Sequence, residues 1–446
     1  MSLGAIQIQS IVDATKTPTL EQVRVIEAPR RPLLVVAGAG SGKTETMSMR
    51  VLWLLANHAD LTPSSILGLT FTRKAAGELG DRLRERIRLL SREMPQMRER
   101  LDEDPVALTY NSFAERIVSE HGMRIGIDPD FSMLSEAGAL DMMTQIVETW
   151  PTDLDEELRP IDSVPQVLHL AGELAEHGFT VERGREALEE LGRELSQVGD
   201  TNTEARNLLR ANRRRLAFLG PIATYQQRKR EMGVLDFSDQ LVLATRIVRE
   251  APAVRAALRE EFRAVLLDEF QDTSVIQMDL LSMIFADHAV TAVGDPNQAI
   301  YGWRGASASS LESFLDRFQT GVPDEGQTLT LSTAWRNDVS ILDAANRVAA
   351  PLREVASYQQ GKDALKAQSP VLVPRKGAGQ GTVEIAYTQV YEDALAATVD
   401  FVKRVRSQAT KEGKRRTVAV LSRRRKDFPF IDAALREAGI PTEIVG

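Results

Sequence analysis

Apolar residues recur along this chain in two rhythms. Short unbroken runs, such as Leu33-Leu34-Val35-Val36, fit strands buried on both faces, whereas the spaced pairs Val51-Leu52 and Leu54-Leu55 mark one side of an amphipathic helix. Within residues 17–60 the pattern predicts a helix, a strand with the loop that follows it, and this second helix. A short strand over 66–71 then leads into a helix from residue 73 to about 90, and a third apolar piece at 106–109 precedes a helix beginning near Ser112. Alternation of this kind predicts an α/β fold, a parallel sheet with helices on both faces.

From about 112 to 232 the texture changes. Leu, Ala, Glu and Arg dominate at helical spacing, strand signals vanish, and Pro151, Pro160 and Pro165 punctuate the run. This predicts an inserted helical domain. Sheet segments resume at 264–267 and 289–293, and the run 328–332 is expected to start another sheet, followed by a helix around 338–352. After a Pro-, Gly- and Lys-rich loop over 359–381, strands at 382–387 and 417–421 should flank a helix, with a last helix over 431–438.

Composition narrows the class. The chain has 446 residues, 43% of them hydrophobic and 26% charged, room for two or three domains with full cores. No apolar stretch approaches the roughly 18 residues that span a bilayer, and no secretory leader pattern opens the chain, so a cytoplasmic protein without a membrane partner is expected. The absence of cysteine excludes disulfides and cysteine-ligated metal from these residues, and the five histidines are scattered. A net charge of −8 does not favour nucleic acid, but local clusters such as Arg73-Lys74, Arg82 to Arg88 and Arg213-Arg214-Arg215 leave a basic track open.

Two segments carry chemistry. Ala37-Gly38-Ala39-Gly40-Ser41-Gly42-Lys43-Thr44 directly follows the first strand and precedes a helix, the arrangement of a phosphate-binding loop. Its glycines let backbone N–H groups curl around an anion, and the helix N-terminus adds partial positive charge. In such a loop Ala39, Gly40, Ser41 and Gly42 cradle phosphate, Lys43 reaches the β/γ-phosphates and the Thr44 hydroxyl ligates Mg²⁺. The pattern usually opens on glycine and here opens on Ala37. The second segment, Asp268-Glu269, follows the strand Val265-Leu266-Leu267, so a buried strand delivers two carboxylates at the edge where α/β sheets bind ligands. Asp268 is expected to hold Mg²⁺, and Glu269 to orient and deprotonate the attacking water of ATP hydrolysis.

The longer strings around these sites are more specific. Leu69-Thr70-Phe71-Thr72-Arg73-Lys74-Ala75-Ala76, Leu267-Asp268-Glu269-Phe270-Gln271-Asp272-Thr273 and Val293-Gly294-Asp295-Pro296-Asn297-Gln298-Ala299-Ile300-Tyr301-Gly302-Trp303-Arg304-Gly305-Ala306 occur in this order. Leu20-Glu21-Gln22, Leu235-Asp236-Phe237-Ser238-Asp239 and Trp335-Arg336-Asn337 support them. Together they resemble the UvrD/PcrA/Rep group of superfamily 1A DNA helicases from about residue 17 to 446. Glu45-Thr46, with Gly68 to Lys74 and Tyr301 to Ser307, looks closer to the actinobacterial AdnB helicase–nuclease branch, where a second subunit would be a partner in double-strand-break repair.

The resemblance implies a RecA-like ATPase domain over 1–111 and 233–328, an inserted helical domain over 112–232, and the start of a second RecA-like domain over 329–446. It implies an ATP-dependent, 3′→5′ motor on single-stranded DNA or a single-strand/duplex junction. By this resemblance Gln22 reads the adenine edge, Trp335 stacks on the ring, Arg336 and Arg304 face the γ-phosphate, and Gln298 senses it. Phe71, Tyr301 and Trp303 would stack bases, with Thr70, Thr72, Thr109 and Ser112 on backbone phosphates; Asn111 stands where the group usually has His. A Lys-Gly motif and a second-domain arginine finger are not found after Arg336, nor is a nuclease motif. These residues are therefore expected to be the N-terminal part of a longer protein that binds ATP, hydrolyses it slowly and does not unwind duplex. The alternative outside the motor class is a nucleotide-gated DNA-binding module.

Overall fold

Consecutive apolar residues in a strand must face opposite sides of a sheet, so the runs above need two separate layers of cover. The computed structural model shows both layers. It describes residues 3–128, 131–154, 159–197, 203–302, 310–319, 321, 328–358, 368–408, 413 and 416–445. These fall into two compact units, Met1–Gly379 and Gln380–Gly446.

In the first unit, α1 (Ala5–Val12) and α2 (Leu20–Ile26) precede β1 (Leu33–Ala37), and α3 (Lys43–Asn57) follows the glycine-rich loop. Then come β2 (Ile66–Thr70), α4 (Arg73–Glu93), β3 (Val106–Thr109) and α5 (Tyr110–His121). The strands β4 (Ser132–Met133) and β5 (Val234–Leu235) bracket α6 (Glu136–Glu148), α7 (Pro160–Glu176), α8 (Val181–Gln197) and α9 (Thr203–Met232). The chain continues through α10 (Phe237–Glu250), α11 (Pro252–Glu261), β6 (Ala264–Leu267), α12 (Val275–Phe285), β7 (Val290–Gly294), α13 (Phe314–Phe318) and β8 (Thr328–Leu331). β9 (Thr333–Ala334), α14 (Val339–Tyr358) and β10 (Val373–Pro374) complete the unit.

Six strands form one sheet in the order β3-β2-β6-β7-β1-β8, every pairing parallel. Alternate residues divide between two cores. Leu34, Val36, Leu67, Leu69, Val265 and Leu267 join α5, α10, α11 and α12 on one face. Leu33, Val35, Ala37, Ile66, Ala264 and Leu266 join α1 to α4 on the other. The helices α6, α7 and α9 enclose a third core around Met143, Val167, Phe218 and Ile222. The chain enters and leaves this helical part through β4 and β5, which pair in parallel as a two-stranded joint. In α5, Phe113, Ile117 and Val118 pack into the sheet's core, so the helical texture that begins near 112 starts one helix before the insertion's own core.

β8 differs from expectation. Rather than starting another sheet, it extends the first one, with Leu34 opposite Thr328 and Ala37 opposite Leu331. Its alternation Thr-Leu-Thr-Leu fits an edge strand covered on one face, and such a pattern does not say which sheet it will join. β9 instead pairs with β10.

The second unit contains α15 (Tyr391–Ser407) and α16 (Phe428–Glu437), packed around Val402, Leu435 and Ile440. Residues 382–387 and 417–421, expected as strands, are not strands here. Ile385, Tyr387 and Leu421 are more than nine-tenths exposed. β propensity expresses itself only where a neighbouring backbone supplies hydrogen bonds.

One buried cation ties α2, α3 and β7 together. Arg50, on α3, is 1% exposed. It donates to Thr291 Oγ1 at 2.9 Å and to the carbonyls of Val25, Ile26, Ala28 and Pro29 at the end of α2. Burial pushes its guanidinium down to about 10, still charged at neutral pH. Arg50→Met is expected to destabilise the protein by about 3 kcal/mol, since it strands several buried acceptors at once. A downward shift of the urea unfolding midpoint is the readout, and Arg50→Lys should recover little because one ammonium cannot reach all five groups.

Candidate nucleotide and nucleic-acid site

The loop between β1 and α3 needs backbone that only glycine adopts freely. Gly40 and Gly42 have φ of 73° and 84°, and Gly42 caps α3. A Cβ on Gly42 would lie 3.1 Å from Gln22 Nε2 and 3.6 Å from Trp335 Cδ1; one on Gly40 would lie 3.2 Å from Arg336 Cβ. Gln22, Trp335 and Arg336, separated by some three hundred residues, thus close on the same loop. The Trp335 N–H donates to Gly40 O at 2.9 Å. The missing first glycine has a simple account: Ala37 is the last residue of β1, opposite Leu331, where a Cβ costs nothing. Ser41 Oγ is buried with no hydrogen-bond partner among the described residues. A phosphate cradle fits that orphan hydroxyl, the unshared N–H groups of the first turn of α3, and the Lys43 and Thr44 side chains that open it.

The acidic pair faces this loop. The Asp268 N–H donates to Leu69 O at 2.8 Å, extending the ladder between β6 and β2, and the Tyr110 hydroxyl donates to Asp268 O at 3.0 Å. Asp268 is 7% exposed, and burial, reinforced by Glu269, pushes its carboxyl up to about 6. Lys43 and Arg82 oppose that rise. Glu269 adopts a left-handed conformation, φ 50°, unusual for a residue with a Cβ. That turn brings Glu269 Oε2 to 2.8 Å from Lys43 Nζ. The Asp268 carboxylate and the Thr44 hydroxyl are oxygen donors of the hard kind that Mg²⁺ takes. Glu45 is held in turn by Arg86 of α4.

Hydrogen bonds lead from Glu269 toward the next loop. Gln271 Nε2 donates to Glu269 Oε2 at 2.9 Å, and Gln271 Oε1 accepts the Asp295 N–H at 3.0 Å. Gln298 Nε2 donates to Asp295 Oδ2 at 2.7 Å. Gln271 had no role in the sequence reading, although it lies in one of the quoted strings, because an amide linking two loops leaves no periodic signal. Arg82 was passed over for a similar reason, as one of several arginines on α4.

On the other side of this loop the ring of Phe71, one residue beyond β2, stacks on that of Tyr301, centroids 4.6 Å apart and 25° from parallel. The two rings cover one another, so a base can enter between them only if they part. Trp303 and Arg304 lie outside the described residues. Thr72 Oγ1 accepts the Ala75 N–H and caps α4; Thr109 Oγ1 accepts the Ser112 N–H and donates to Ser112 Oγ, capping α5. Both hydroxyls therefore serve helix ends, a role residues of this type commonly take. Thr70 Oγ1 is buried without a partner among the described residues. A cavity of about 410 Å³ is lined by Phe71, Arg73, Thr109, Asn111, Ser112, Phe237 and Gln277. Asn111 Oδ1 accepts from Gln277 Nε2 at 3.1 Å. Phe237, 52% exposed at the first position of α10, was not singled out from sequence. An apolar ring at a helix start was the available signal.

Among the described residues no helix is long and apolar enough to cross a membrane. A family model described as the UvrD/REP helicase N-terminal domain matches residues 19–319. DNA helicase II of Escherichia coli (strain K12) is 28% identical over 327 residues, 73% of this chain and 39% of that protein. DNA helicase II of Haemophilus influenzae is 26% identical over 344 residues, 77% and 41%. ATP-dependent DNA helicase PcrA of Staphylococcus aureus (strain Mu50) is 28% identical over 331 residues, 74% and 39%. The chain thus spans about two-fifths of the length of these curated relatives. With a parallel sheet that sets a glycine-rich loop opposite a buried acidic pair, and a family match over two-thirds of its length, the chain belongs to the UvrD/REP helicase family, whose N-terminal domain it carries.

Proposed function

We propose that this chain is the nucleotide-binding and strand-gripping part of an ATP-dependent DNA helicase motor. The observation that carries the reading is the hydrogen-bonded path Glu269–Gln271–Asp295–Gln298, which ends three residues before Tyr301. It leads from the carboxylate beside Lys43, through Gln271 and Asp295, to Gln298 in the loop that also carries Tyr301.

In this reading the sheet and its covering helices, up to residue 121 and again over 237–331, make the ATPase domain, the helices between β4 and β5 the insertion, and residues beyond 331 part of a second RecA-like domain. Gln22 and Trp335 take the adenine base, the loop 39–44 takes the phosphates, and Arg336 and Arg304 meet the charge that develops on the γ-phosphate. Thr44 and Asp268 would hold Mg²⁺, which neutralises phosphate oxygens and orients them. Glu269 accepts the proton of the attacking water. Lys43, which pairs with Glu269, would turn to the phosphates on nucleotide binding and release that carboxylate for its role. Gln298 then reports the γ-phosphate to the Phe71/Tyr301 stack, which parts to admit a base of single-stranded DNA and closes when the nucleotide leaves.

Tyr301→Ala tests the strand-gripping half. Single-stranded DNA affinity is expected to fall by 1–3 kcal/mol, the approximate worth of one stacked base. Affinity for Mg·ATP should stay within about twofold, because Tyr301 lies beyond the end of the path that starts at Glu269. Fluorescence anisotropy of a labelled oligonucleotide and of a fluorescent nucleotide measures both. Unchanged DNA affinity would remove the stack from the reading. Mg·ATP binding without any turnover stimulated by single-stranded DNA would favour a nucleotide-gated binding module.

A further inference from the structure

We propose that Glu21 is a positioning residue that sets the base selectivity of the nucleotide site; the inference rests on the adenine-site reading of Gln22 and Trp335. Neither the family strings nor the charge pattern assigned Glu21 a role.

The argument begins at the start of α2. Thr19 and Gln22 form a reciprocal cap: the Gln22 N–H donates to Thr19 Oγ1 at 3.2 Å, and the Thr19 N–H donates to Gln22 Oε1 at 3.0 Å. The Gln22 amide is therefore held in one orientation, with Nε2 toward Gly42. Glu21, the next residue back, points its carboxylate at Ser332. Oε2 accepts the Ser332 N–H at 2.8 Å, and Oε1 accepts from Ser332 Oγ at 2.7 Å. Two charge-assisted bonds from one residue to one residue fix both distance and direction.

Ser332 sits between β8 and β9, three residues before Trp335, whose own N–H is tied to Gly40. Glu21 thus links the helix that presents an amide edge to the segment that presents an indole face, and both meet at Gly42. The far end of α2 is held by Arg50. With both ends anchored, the spacing between Gln22 and Trp335 becomes a built property of the site. That spacing matters for the base and not for the phosphates: a purine is recognised only when edge and face contacts coincide, whereas the loop 39–44 grips phosphate without either.

Competition against a fluorescent nucleotide, using ATP, GTP and tripolyphosphate, tests this. Glu21→Ala is expected to reduce the preference for ATP over GTP by about tenfold while changing tripolyphosphate affinity by less than about twofold. Ser332→Ala should act in the same direction, and the double variant should be no worse than Glu21→Ala alone. Glu21→Gln keeps an acceptor for the Ser332 N–H and should retain most of the preference. An unchanged ATP/GTP ratio in Glu21→Ala overturns the proposal. So does an equal loss of ATP and tripolyphosphate affinity in both Glu21→Gln and Ser332→Ala, which would mark a merely structural contact. Absence of any ATP preference in the unaltered chain overturns the adenine-site reading itself, and the proposal with it.

Discussion

Lys43→Ala is expected to lower ATP turnover by about 10³-fold and to weaken Mg·ATP binding as well. Removing one preorganised donor from a developing anion typically costs about 10²–10³-fold in rate, and Lys43 supplies a full positive charge. The side chain is the first residue of α3, so its ammonium adds to the partial charge of the helix start at the same point. Its loss also acts on the other wall of the cleft. Lys43 is the cation that holds the raised pKa of Asp268 in check, and it pairs with Glu269 at 2.8 Å. Without it only the more weakly acting Arg82 offsets the two neighbouring carboxylates, the Asp268 carboxyl rises further, and a metal ion must compete with a proton to bind. Phosphate release under saturating ATP, together with a nucleotide titration, reads both effects. Turnover within tenfold of the unaltered chain would mean that the 39–44 loop is not the phosphate site.

Glu269→Gln should separate binding from chemistry. The substitution keeps size and hydrogen bonding but removes the ability to take a proton, and loss of a positioned general base costs about 10²–10⁴-fold. Mg·ATP affinity should change little, because Lys43 loses a competing partner rather than a helper. The left-handed backbone at Glu269 belongs to the turn between β6 and Gln271, so a glutamine there meets the same backbone strain and no new one. The pair of variants therefore differs in kind: Lys43→Ala loses affinity and rate, whereas Glu269→Gln loses rate alone. Single-turnover phosphate release with pre-bound nucleotide distinguishes them. Rapid hydrolysis by Glu269→Gln would transfer the proton-accepting role to another group in the cleft, with Asp268 the nearest carboxylate along the chain.

Much of this site can be read directly from the chain, for reasons that are local. Glycines at Gly40 and Gly42 announce backbone with positive φ, an unbroken apolar run announces a doubly covered strand, and paired acids after such a run announce the ligand edge of a parallel sheet. Five of the sheet's six strands and the helical insertion follow from the same periodicities. What failed had the opposite character. Residues 328–331 have the alternation of a strand, yet only the pairing with β1 assigns them to the first sheet. Residues 382–387 have strand composition and no strand partner.

By itself the sequence determined which residue types stand at each turn, strand end and helix start, because backbone conformation and burial periodicity are properties of neighbours in the chain. Only the tertiary structure decided that Glu21 meets Ser332, that Gln271 bridges Glu269 to Asp295, and that Phe71 covers Tyr301. Apart from the local bond between Gln271 and Glu269, these pairings join residues 24 to 311 positions apart. A contact of that reach depends on how the sheet orders its strands, and strand order is set by the packing of both cores at once rather than by any single segment.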